Sequence, residues 1–105
     1  MTELPGTPLD TTELVLPTYA VMARFRASGA TGDQAVRQVV VALTEAEEPF
    51  HEVQVERQEE DGSWMVVVRF VLVSIDGQTA VVGLHETLVA AGLNPDEVWA
   101  DRQVS

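Results

Sequence analysis

Between Trp64 and Ile75 the chain is apolar at odd and even positions alike, apart from Arg69 and Ser74. A strand that is apolar on both faces belongs in the middle of a sheet, and a run this short and interrupted does not span a bilayer. Asp61-Gly62 lies between this run and the alternating segment Phe50–Gln58, and that dipeptide between two strand patterns is the strongest short hairpin signal. A two-residue loop sets Val53 opposite Phe70 and Val55 opposite Val68. It also sets Gln54 opposite Arg69, with Glu52 and Glu56 as diagonal neighbours of that arginine. Apolar then meets apolar, and polar meets the cation.

The rest of the chain arranges itself around this hairpin. Tyr19, Val21, Ala23 and Phe25 alternate with Ala20, Met22, Arg24 and Arg26, the period of a strand. Thr31-Gly-Asp-Gln34 has the form of a capping box, a hydroxyl at the N-cap and an amide three residues on. Val36, Val39, Val40 and Leu43 then mark one helical face, and Pro49 ends the run. Three consecutive valines lower helix propensity, so packing must hold this helix. Asp76 caps a second helix, Gly77 to Ala91, with Val81, Leu84 and Leu88 inward and Gly92 just past its end. Glu97–Val104 alternates weakly and reads as a short last strand. Met1–Pro17 holds three of the five prolines and reads as a disordered tail ahead of one domain, 18–105. It lacks a basic region ahead of an apolar stretch, so no secretory signal is expected.

The order β-α-β-β-α-β with right-handed crossovers predicts an α+β ferredoxin-like sandwich, a four-stranded antiparallel sheet with two helices on one face. Strand order 4-1-3-2 puts the first and third strands at the centre. Parity sends Tyr19, Val21, Phe25, Val53, Val55, Val66, Val68, Phe70 and Leu72 to the helices. Met22, Arg24, Arg26, Gln54, Glu56, Met65, Val67, Arg69, Val71 and Val73 fall on the opposite face. That face carries more branched aliphatic residues than contact with water requires, and apolar patches on soluble proteins mark interfaces.

Composition narrows the function. The 105 residues carry a formal net charge of −11, six basic residues that are all arginine, and no cysteine. Seventeen acidic residues against six basic ones repel a polyphosphate backbone, so nucleic acid is not the expected partner, and neither is a membrane. Without cysteine or lysine there is no disulfide, thiolate nucleophile, cysteine-bound zinc or Schiff base, and a cytoplasmic location is expected. His51-Glu52 and His85-Glu86 lack the spacing that brings two metal ligands to one face, and neighbours on a strand point apart. The acidic run Glu56–Asp61 lacks a calcium-loop pattern. No serine assembles into a triad with a histidine and an acid. No catalytic, cofactor-binding or metal-binding residue is therefore expected, and no motif identifies a family. The expectation is a small acidic, non-enzymatic domain that acts by homodimerisation or by binding a protein partner. Its candidate interface is Met22, Arg24, Arg26, Met65, Val67, Arg69, Val71 and Val73. The alternative is an anionic small molecule, bound or turned over between this face and a dimer mate.

Overall fold

The computed structural model describes Val15–Val104; Met1–Leu14 of the expected tail lie outside the described residues. Four strands, β1 (Thr18–Ala27), β2 (Glu52–Gln58), β3 (Trp64–Val73) and β4 (Glu97–Gln103), and two helices, α1 (Gly32–Glu45) and α2 (Gly77–Ala90), follow in the order β1-α1-β2-β3-α2-β4. The sheet is antiparallel, in the order β2-β3-β1-β4. β1 and β3, the two strands richest in apolar residues, form its centre.

Local chemistry sets the ends of both helices. Thr31 Oγ1 accepts from Gln34 N, while Gln34 Oε1 accepts from Ala30 N, one residue before the cap. Asp76 Oδ1 accepts from Thr79 N, and this bond holds the Asp76 carboxyl below its ordinary range. Beyond α2, Gly92 adopts φ 86°, Gly92 N donates to Val89 O, and Leu93 N donates to Leu88 O. These paired bonds satisfy carbonyls that the helix end leaves open. α1 ends in the same way without a glycine: Glu47 takes φ 58°, and Glu48 N donates to Leu43 O. Only afterwards does Pro49 interrupt the chain.

A single core joins one face of the sheet to both helices. Val21, Ala23, Phe25 and Ala27 of β1 and Val66, Val68 and Phe70 of β3 pack with Ala35, Val39 and Leu43 of α1 and Ala80, Leu84 and Leu88 of α2. Tyr19, Val53 and Leu72 are partly buried against this cluster, and Val55 lies beneath Gly32 at the start of α1. Every residue that parity assigned to the helix side is on that side.

The hairpin register departs from expectation. The loop has three residues, because Glu59 pairs with Ser63 (N–O 2.7 Å) and Gly62 N donates to Glu59 O (3.0 Å). Asp61 Oδ1 accepts from Ser63 N at 2.9 Å and Gly62 sits at φ 91°, which stabilises the longer turn. A bulge follows in β2, where Glu56 and Arg57 together oppose Met65. Each irregularity shifts the pairing by one residue. Val53 therefore meets Val68 rather than Phe70, Val55 meets Val66 rather than Val68, and Arg69 meets Glu52 rather than Gln54. A single shift would have turned Val53 and Val55 to the wrong face. Two shifts restore them to the core.

Candidate association surface

The sheet face away from the helices is two different surfaces placed end to end. Its upper half is built on Arg24. This guanidinium, on β1, donates through Nε to Glu56 Oε1 (2.7 Å) and through Nη2 to Glu56 Oε2 (3.0 Å), so it reaches across β3 to the bulge of β2. Nη1 bonds Glu97 on β4, and the guanidinium carbon stands 4.8 Å from the centre of the Trp99 ring. One arginine thus ties together residues from β1, β2 and β4. The paired hydrogen bonds hold the Glu56 carboxyl below the ordinary carboxylate range and raise the Arg24 guanidinium above its own.

Arg26, one pleat nearer the hairpin tip, donates to Ser63 Oγ at 2.8 Å, and Ser63 Oγ donates to Asp61 Oδ1 at 2.6 Å. Those bonds from Ser63 hold the Asp61 carboxyl below its usual range. Asp96 lies 3.9 Å from the Arg26 guanidinium. Arg24 is therefore neutralised by Glu56 and Glu97, and Arg26 has Asp61 and Asp96 as its counter-charges.

Among the expected interface residues, Met65 is the one the structure removes from the surface. It is 2% exposed, although it points away from the helices, because the Arg24–Glu56 bridge crosses β3 at the level of Met65 and Val67. Long charged side chains can bury an apolar neighbour under their stems while keeping their heads in water. Glu56 serves Arg24, not Arg69 as the two-residue turn implied.

The lower half of the face has no such cover. Met22, Val67 and Arg69 are half-buried, while Val71 is 47% exposed and Val73 65% exposed. Arg69 bounds a small hollow of about 100 Å³ with Met22, Glu52, Gln54 and Val67. Its Nε is buried without a hydrogen-bond partner, and its Nη2 approaches Asp101 only to 3.9 Å. Glu52, directly across from it, accepts from Gln54 Nε2 at 2.8 Å. A buried donor left unsatisfied destabilises by about 1–3 kcal/mol.

Two members of this face were not foreseen. Trp99 and Glu97 enter from β4, where Trp99 pairs with Met22 and Glu97 with Arg24. The signal was the weak alternation of Glu97–Val104, which placed a strand there without saying which side it presents. A register shift between Ala20 and Val21 moves the distal end of β4 by one residue. His51 and His85 are exposed and lie outside the face. Among the described residues no group of three or more His, Asp or Glu side chains is placed to hold a metal ion, and no helix is long and apolar enough to cross a membrane.

Comparison with protein-family models, with curated proteins and with solved structures finds no match.

Proposed function

We propose that the protein is a non-enzymatic, cytoplasmic binding domain of ferredoxin-like architecture that associates through the lower half of its open sheet face, with a second copy of itself as the partner. The buried, unpartnered Nε of Arg69 carries this reading. It stands beside a hollow and next to two exposed valines on the same strand, so polar and apolar groups in one patch are both left unfinished. The patch is also suited to a two-fold contact. Arg69 lies between two carboxylates, Glu52 on β2 and Asp101 on β4, so a two-fold axis along β3, which brings Arg69 near its own copy, also brings the flanking carboxylates of both copies beside the paired cations as counter-charges.

Magnitudes limit the affinity. Full burial of a valine side chain stabilises by about 1.5–3 kcal/mol, and Val71 and Val73 have about half of that left to gain. Two copies of such a strip at best barely exceed the roughly 4 kcal/mol or more that association costs in lost freedom. The valines alone therefore do not hold a dimer, and with charge-assisted bonds at the two copies of Arg69 adding about 3 kcal/mol or more the expected dissociation constant is millimolar. Size-exclusion chromatography with light scattering at high protein concentration tests it: the mass should rise toward that of a dimer, and Val71→Glu should return it to a monomer with unchanged circular dichroism. A wild type that stays monomeric at millimolar concentration removes the second copy as the partner.

A further inference from the structure

On the other side of the sheet, the two helices pack against strands rather than tightly against each other: α1 lies on β1, β2 and β3, and α2 on β1 and β4. Between α1 and the turn that follows α2 lies a cleft of about 490 Å³. Small-molecule sites run from about 300 to 1,000 Å³ and combine an apolar lining with a few fixed polar groups. Leu93 and Ala42 supply the accessible apolar wall over a floor of the nearly buried Phe25, Val39 and Leu43, and Gln38 and Asn94 stand among the polar lining.

The walls are held in place by bonds already described for the helix ends and by one more. Leu93 is positioned by its N–H bond to Leu88 O. Gln38 is oriented because its Oε1 accepts from Ser28 N at 2.8 Å. That bond leaves the Gln38 amide NH₂ without a protein partner among the described residues, as a donor of fixed orientation. No carboxylate lines the cleft, and its one cation, Arg26, is engaged by Ser63 with Asp61 at 3.6 Å. A net charge of −11 further disfavours an anion.

We propose that this cleft binds a small uncharged amphipathic molecule, with its ring or alkyl part against Leu93 and Ala42 over the floor of Phe25, Val39 and Leu43, and a carbonyl or hydroxyl accepting from the Gln38 amide. The site shares Arg26 and Ser63 at its rim with the upper half of the open face but lies away from the lower half, and it does not depend on dimer formation.

The test is a titration of the ¹⁵N-labelled full chain with benzamide, followed by amide chemical shifts, with benzoate as the charged counterpart. Saturable shifts should appear at Ser28, Gln38, Leu93 and Asn94, and benzoate should bind about tenfold more weakly. Ala42→Phe, which places a ring in the cleft, should abolish the shifts. Gln38→Leu should weaken binding by about tenfold, the worth of one hydrogen bond, and decides the matter if Ala42→Phe does not fold. Absence of saturable shifts up to the solubility of benzamide overturns the proposal. So do equal binding of benzoate, shifts that persist in a folded Ala42→Phe, or undiminished binding by Gln38→Leu.

Discussion

Replacing Arg24 with methionine separates the two ways in which this side chain holds the open face. Methionine keeps a flexible apolar stem over Met65 and Val67 but removes the charge that meets Glu56, Glu97 and the Trp99 ring. With Arg24 only 19% exposed and Glu56 32% exposed, the paired bonds are only partly screened, and their loss destabilises by about 1–2 kcal/mol. Loss of the cation–π contact adds about 0.5–1 kcal/mol. A fall of about 2 kcal/mol in a domain of this size lowers Tm by roughly 10 °C.

The effect must also depend on pH. Glu56 titrates below its unfolded value of about 4.3, chiefly because Arg24 donates to it. Its contribution is therefore complete above that unfolded value and is lost as the pH falls through the lower folded value. Urea unfolding of wild type and Arg24→Met should show the full gap near neutral pH and a narrower one in acid below the folded Glu56 value. A gap that is equally wide in acid would refute the electrostatic account and assign the role of Arg24 to its stem.

Two further substitutions test the turns. Gly62→Ala should destabilise by about 1 kcal/mol in chemical denaturation, because φ is 91° and no atom lies within 4 Å of a new Cβ, so only backbone strain acts. Asn at the same position should lose less, and a neutral Gly62→Ala would contradict the three-residue loop. Glu47→Gly should stabilise by about 0.5–1 kcal/mol, since Glu47 holds φ 58° at the end of α1; an unchanged or lower denaturation midpoint would show that this end is not strained.

What could be read in advance follows from how far each interaction reaches along the chain. The order of the elements was legible because its signals are local: alternation in Tyr19–Arg26, a cap at Thr31, Asp-Gly at the hairpin, Gly92 after α2. The division of side chains between the faces was legible too, and it survived a wrong register only because the loop residue and the Glu56 bulge shift the pairing twice. The register itself depends on Asp61 binding Ser63 and on two residues of β2 opposing Met65, neither of which a two-residue loop anticipates. The open face was legible as an unusual surface but not in its internal bonding. Arg24 finds Glu56 32 residues away and Glu97 73 residues away, and those meetings exist only once β2 and β4 lie at opposite edges of the sheet. That is why Met65, exposed by parity, is buried, and why Arg69 rather than Arg24 is the arginine left with an unsatisfied donor.

The most direct test of the association surface is a dilution series of ¹H–¹⁵N spectra of the full chain, from millimolar to low micromolar protein. The account predicts concentration-dependent shifts at Met22, Glu52, Arg69, Val71 and Val73, with Gln34–Leu43 and Ala80–Leu88 unmoved. Shifts confined to the helices, or spectra that do not change with concentration, would contradict it.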